Sequence, residues 1–322
     1  MSADSLTGRL DRARRGVGQS GRGAGAPSPR RRRRRFSART VTLLAFAVPS
    51  LVLLVLLNVY PVAYAGFQSL HDGDLTSAGP FVGLANFGNV LTDPDFWAST
   101  RFTVIFTLSG VFGSWLVGMV LALVLRTRVP GRGVFKVLML LPWIVPIVVS
   151  ATAWNFMVAT PQSPLPIIAH ALGFGDVQFL ADPVLAQITV CVFKVWISFP
   201  FMMMMTAAAL EGVDVNVYEA AKMDGANRWQ IFRSITMPII ARSTFISWIL
   251  MTIFCVNDFP TIFLLTGGGP VNATTSLVVL AYRTVFQDYQ TGPGVAIAFL
   301  MTFVLVVISV VLYRQIRKVS IE

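Results

Sequence analysis

Six apolar runs, each about the length that crosses a lipid bilayer, restrict what this chain can fold into. They occupy residues 41–60, 102–125, 137–159, 184–210, 243–265 and 294–313. A helix needs about 20 predominantly apolar residues to span the hydrocarbon layer. Four of the runs hold no charged residue, and the other two hold one each, Lys194 and Asp258. Of the 322 residues, 55% are hydrophobic and 13% charged, where a soluble domain carries about a quarter charged residues. The mean hydropathy is +0.68. One globular core cannot hide that much apolar surface, so lipid must act as part of the solvent. The expected architecture is an all-α membrane protein with six transmembrane helices. Pro49, Pro142, Pro146, Pro200 and Pro260 lie inside the runs; membrane helices tolerate such kinks where neighbours re-satisfy the backbone. Ser109, Gly113, Ser114 and Gly118 place small residues on the second run, a pattern that favours close helix contact.

The net charge is +11, and its distribution matters more than its size. Residues 1–40 hold 12 Arg and 2 Asp, and the remainder of the chain is almost neutral. This Gly-, Ser- and Pro-containing tail around Arg30–Arg35 cannot bury enough apolar surface to fold, so a disordered basic tail is expected over 1–40. No aromatic residue interleaves with its arginines, which favours anionic lipid headgroups over nucleic acid as its neighbour. Ala63-Tyr64-Ala65 after the first run resembles a signal-cleavage site, but that run exceeds the usual signal core and five more follow, so it is read as a span. Lys and Arg between the runs divide 23 to two. Cytoplasmic loops carry the excess of Lys and Arg, which places both termini, residues 126–136 and the loop 211–240 in the cytoplasm. Residues 61–101, 160–183 and 266–293 then form the external loops of a membrane domain covering 41–318.

The loop between the fourth and fifth runs has its own architecture. Asp214 is a suitable N-cap for a helix reaching about Asp224, and Gly225 permits the positive φ that ends a helix sharply. A second short helix, with Trp229, Phe232 and Ile235 on one face, is expected to stop at Pro238. Within this helix–turn–helix, Glu219-Ala220-Ala221, three residues, Gly225, nine residues and Ile235-Thr236-Met237-Pro238 resemble the EAA signature of binding-protein-dependent ABC importer permeases. Met237 replaces the usual Leu. The resemblance implies a type I importer permease fold, in a bacterial cytoplasmic (inner) membrane. It also makes this loop a coupling element that docks on a separate ATPase, through Glu219, Ala220, Ala221, Asp224, Gly225 and Pro238. Phe81-Val-Gly-Leu-Ala-Asn-Phe87, Asp93-Pro-Asp-Phe-Trp97 and Leu265-Thr-Gly-Gly-Gly-Pro270 with Thr275 and Tyr282 resemble the external loops of the carbohydrate branch, which includes maltose and glycerol-3-phosphate systems. The implied partners are a second homologous permease, two ATP-binding cassette subunits, an external solute-binding protein or lipoprotein, and a sugar-like solute. ATP and Mg would be bound by the partner ATPase, with no cofactor in this chain.

The chemistry-bearing residues agree with a transport subunit rather than an enzyme. None of Lys136, Lys194, Lys222 or Lys318 follows a glycine as a phosphate-binding P-loop requires. Cys191, Cys255, His71 and His170 form no C-x-x-C or metal-ligand spacing. Polar groups at membrane depth cost about 2.5–3.5 kcal/mol each on insertion scales, so they mark a candidate solute pathway: Trp154, Asn155, Lys194, Trp196, Ser198, Phe201, Asn257 and Asp258. Aromatic faces stack on C–H-rich sugar rings, and amides and hydroxyls hydrogen-bond to them. Lys194 and Asp258 could equally pair with each other or with a partner subunit, and Trp154 could be an interfacial anchor. An ion-coupled secondary transporter would use the two charges as coupling groups, and a phosphate-bearing solute or a polyol is an alternative to a neutral sugar.

Overall fold

A computed structural model describes residues 38–126 and 130–319. The arginines at 9–35, Arg128 and residues 320–322 lie outside the described residues. The chain divides into two units, Met1–Leu57 and Asn58–Glu322. In the first, a helix begins at Ala38, inside the stretch expected to be a tail, and runs to Leu54 before a π-helical turn at Val55–Val59.

Among the described residues there is no strand, only one antiparallel bridge between His71 and Phe81. Five helices are long and apolar enough to cross a membrane: Ala45–Ser69, Pro94–Arg126, Pro183–Glu211, Arg228–Val256 and Thr291–Gln315. Arg132–Ile144 and Ile147–Val158, which meet at 92°, form a sixth apolar element if the bent pair is taken as one span. The third apolar run is therefore bent sharply at one of the prolines at which a kink was expected. Pro146 supplies the reason. It lacks an N–H and forces the residue before it out of the helical region, and Val145 accordingly sits at φ −66, ψ 134.

The fifth span also differs from expectation. It does not start after Pro238; the helix continues from Arg228 through that proline to Val256. A π-helical turn over Phe232–Thr236 immediately precedes it. A proline ring clashes with the carbonyl four residues back and removes one donor, and the wider turn accommodates both effects. The helix ends instead at Asn257, and a short separate helix, Phe259–Leu265, follows. The fourth span matches its run to within one residue at each end.

Within the second unit, the second and fourth spans pack along one another most extensively. Gly118 makes this possible: a Cβ there would lie 2.6 Å from the Met203 backbone nitrogen. At Gly113 a Cβ would lie 2.6 Å from a Val195 methyl. Phe102, Phe106, Val190, Phe193, Met202 and Met251 form the mid-depth core. Met119, Met203, Leu210 and Ile240 extend it toward the 212–227 loop. The last span packs against Tyr60–Ser69, Ala85–Thr92 and Leu277–Phe286.

The loops at the other end are closed by their own side chains. Asn86 donates from Nδ2 to the carbonyls of Ser69 (2.9 Å) and His71 (3.0 Å), and Gly83 adopts φ 60. Asp74 accepts hydrogen bonds from the Thr76 hydroxyl and from the Thr76 and Ser77 N–H groups, which hold its pKa down to about 2. In the last loop, Thr274 and Thr275 donate to the carbonyls of Gly269 (2.6 Å) and Gly268 (2.9 Å), and Arg283 donates to Asn272 (2.7 Å). Gln187 on the fourth span donates to the Ala273 carbonyl at 2.6 Å, tying that turn to the bundle.

Candidate functional site

The loop after the fourth span folds by local rules. Asp214 caps helix Val215–Met223 by accepting from the Asn216 N–H at 2.9 Å. Gly225 ends it at φ 79, and the Ala226 N–H reaches back to the Ala221 carbonyl at 3.0 Å, the six-to-one bond of a left-handed helix stop. Asn227 and Gln230 then exchange hydrogen bonds of 2.8 and 2.9 Å in a capping box that starts the next helix.

This unit is keyed to the bundle through Tyr218. Its hydroxyl lies 3.3 Å from the Thr236 hydroxyl, and its ring sits under the Arg126 guanidinium at 4.4 Å. One side chain of the short helix thus touches the end of the second span and the π-helical turn of the fifth. Glu219, Ala220, Lys222, Met223, Asp224 and Gly225 are exposed. Ala221 is not: it is buried in the chain's own fold at 8% exposure. Adjacent helical residues are about 100° apart, so Ala220 and Ala221 cannot share one outward face. Pro238 is exposed and lies in the first turn of helix Met237–Val256 rather than at a helix end.

Two residues of this surface escaped the sequence reading. Met223, 88% exposed, lies one turn beyond Glu219 on the same face; the four-residue spacing could have revealed it. Tyr218 had no visible partner, because Arg126 and Thr236 are distant in sequence.

At membrane depth the structure brings some of the eight polar and aromatic candidates together and leaves others apart. Lys194 donates from Nζ to Asp258 Oδ2 at 2.6 Å, with 6% and 8% of the two residues exposed. Asp258 also accepts from the Thr261 N–H (3.0 Å) and hydroxyl (2.7 Å), so the same carboxylate caps helix Phe259–Leu265. Gly110 leaves room for the pair: a Cβ there would lie 3.1 Å from Lys194 Cγ and 2.7 Å from Cys255 Sγ. Asn155 donates to the Leu264 carbonyl at 2.9 Å, holding the other end of that short helix.

Trp154 packs on Trp196 and Phe193, with ring centroids 5.7 and 5.3 Å apart. Phe201 stacks instead on Trp143 (5.3 Å) and meets Phe254 (5.8 Å), neither of which was singled out from sequence. Ser198 is buried, and among the described residues its hydroxyl has no partner. Asn257 is exposed and bonds back to its own helix, at the Ile253 carbonyl (2.9 Å). Each of the two charges is therefore neutralised by the other within this chain; the Ser198 hydroxyl is one of several buried polar atoms without a partner among the described residues, with those of Thr107, Trp115, Ser150 and Trp248.

Five long apolar helices and one bent apolar pair among the described residues, with a capped helical knob at the loop after the fourth run, define a polytopic membrane protein. The chain belongs to the family described as binding-protein-dependent transport system inner membrane component, whose model matches residues 110–320. It is thus the multi-pass, inner-membrane component of a binding-protein-dependent importer. It is 35% identical over 272 residues to the trehalose/maltose transport system permease protein MalF of Thermococcus litoralis, covering 84% of this chain and 91% of that one. It is 30% identical over 271 residues to the sulfoquinovosyl glycerol transport system permease protein SmoG of Agrobacterium fabrum, covering 84% and 88%. The fold is similar to that in the crystal structure of a bacterial ABC transporter involved in import of the acidic polysaccharide alginate, with a TM-score of 0.76, 20% identity, and coverage of 87% of this chain and 96% of that one.

Proposed function

We propose that this chain is one half of an ATP-driven importer for a neutral sugar or sugar-like solute, with the 211–240 loop as the surface on which an ATPase subunit docks. The observation that carries this reading is the construction of the loop. Its outward face, Glu219 and Met223 with Ala220 and Gly225 beside them, is exposed, while its inward face is fixed through Tyr218 to two spans. A push on that face reaches the bundle without an intervening flexible segment. An exposed carboxylate beside an exposed methionine suits a groove with a basic rim and an apolar floor. In this reading Ala221 and Pro238 shape the docking unit, and ATP and Mg bind on the partner ATPase.

A second homologous permease completes the pathway, an external binding protein delivers solute, and the two halves alternate in access. The 211–240 loop and both termini lie in the cytoplasm, as the Lys and Arg distribution implies. Sugar as solute class is supported by relatives named for trehalose, maltose and sulfoquinovosyl glycerol transport. The aromatic pairs Trp154–Trp196 and Trp143–Phe201, with the Ser198 hydroxyl, supply stacking and hydrogen-bonding chemistry at depth. Lys194, engaged by Asp258, is not free to meet a phosphate, which favours a neutral solute.

The test is uptake of labelled trehalose or maltose by vesicles holding this chain with its co-purifying subunits. Glu219→Lys should abolish ATP-driven uptake while the protein still inserts into the membrane. Undiminished uptake would overturn the docking role, and uptake sensitive to a protonophore but not to ATP depletion would overturn the importer reading.

A further inference from the structure

We propose that the pocket where the second, third and fourth spans meet beside Tyr218 is a binding site for the headgroup of an anionic phospholipid. Arg126 ends the second span, Arg132 and Lys136 start the third, and Glu211 ends the fourth; together they line one pocket. Three cations against one carboxylate leave an excess of two positive charges. Among the described residues none of these cations is in an ion pair; the two pairs found are His170–Asp176 and Lys194–Asp258. Arg126 is held by the face of the Tyr218 ring, which leaves the edge of the guanidinium available.

The rest of the pocket is apolar. Leu125 and Met203 continue directly from the charged rim toward the bundle core. Polar donors at the ends of apolar spans, with an apolar floor behind them, match a lipid phosphate and the first carbons of its acyl chains. A basic pocket between spans at the cytoplasmic surface is a site for anionic headgroups. An acidic protein segment would have no use for the apolar floor at bilayer depth. The site has a functional consequence, because a headgroup on Arg126 acts on the residue that clamps Tyr218. Anionic lipid would stiffen the connection between the coupling loop and the second span.

This inference rests on the cytoplasmic placement of the loop proposed above, and the experiment separates the two. The intact transporter is reconstituted in phosphatidylcholine vesicles with rising fractions of phosphatidylglycerol, and ATP-driven sugar uptake is measured for the wild type and for Arg132→Gln/Lys136→Gln. Wild-type uptake should rise with phosphatidylglycerol. Removing two surface charges, each worth about fivefold in attraction to anionic lipid, should weaken the apparent lipid affinity about 30-fold. The double variant should therefore lose the stimulation and retain the basal uptake in pure phosphatidylcholine. Equal stimulation of both proteins would overturn the proposal. So would loss of the ATPase subunit from the double variant, which would assign the cations to a protein partner. Millimolar inorganic phosphate in phosphatidylcholine vesicles should not reproduce the stimulation; if it did, the site would be one for a free anion.

Discussion

Lys194 and Asp258 place opposite charges 2.6 Å apart at a depth where either alone would be poorly tolerated. A buried pair is weak evidence for stability, because desolvation offsets the attraction, whereas removing one partner leaves an uncompensated charge. Asp258→Asn should therefore destabilise the protein by about 3–5 kcal/mol, seen as a lower thermal unfolding temperature in detergent. Lys194→Met/Asp258→Leu should be neutral or more stable, since well-packed apolar groups replace the pair. An Asp258→Asn variant as stable as wild type would show that the pair does not form. The sequence exposes both residues as isolated charges within apolar runs. It left open whether each meets the other, a solute or a partner chain, because 64 positions separate them and no local pattern joins them.

At the scale of elements, two prolines behave differently. Pro146 breaks the third span because the residue before it takes an extended conformation. Pro238 is absorbed because a π-helical turn precedes it. Neither outcome is visible in hydropathy: Pro146 lies inside an uninterrupted apolar run, and Pro238 lies before the fifth run, between Arg233 and Arg242. The helix pair at 215–231 was readable, because Asp214, Gly225 and Asn227 act on neighbours within a few residues. The small residues of the second span were readable as a contact face, but not which span they meet. Gly118→Ala tests that contact. Its new Cβ would fall 2.6 Å from backbone, which cannot rotate away. A loss of about 1–3 kcal/mol, the usual range for overpacking, is expected in thermal unfolding. Gly88→Ala, where a Cβ meets nothing within 4 Å, serves as the control.

For the whole molecule, the division of Lys and Arg between alternate loops predicts one orientation. Met223 and Val271, 88% and 95% exposed, sit on loops assigned to opposite sides of the membrane. In a chain with Cys191 and Cys255 replaced, Met223→Cys should react with a membrane-impermeant thiol reagent only in inside-out vesicles. Val271→Cys should react only in right-side-out ones. The reverse pattern would invert the topology and overturn the proposal that an ATPase docks on the 211–240 loop.

By itself the sequence determined the presence of several apolar helices, the uneven division of Lys and Arg between alternate loops, and the capped knob between the fourth and fifth runs. These follow from composition over one bilayer thickness or from contacts within a single turn of chain. Only the tertiary structure decided where the third and fifth spans break and that Ala221 turns inward. It also decided that Tyr218 joins the loop to the bundle and that Lys194 and Asp258 neutralise one another. Those outcomes depend on which distant side chains share the same few ångströms, which a one-dimensional pattern of hydropathy does not specify.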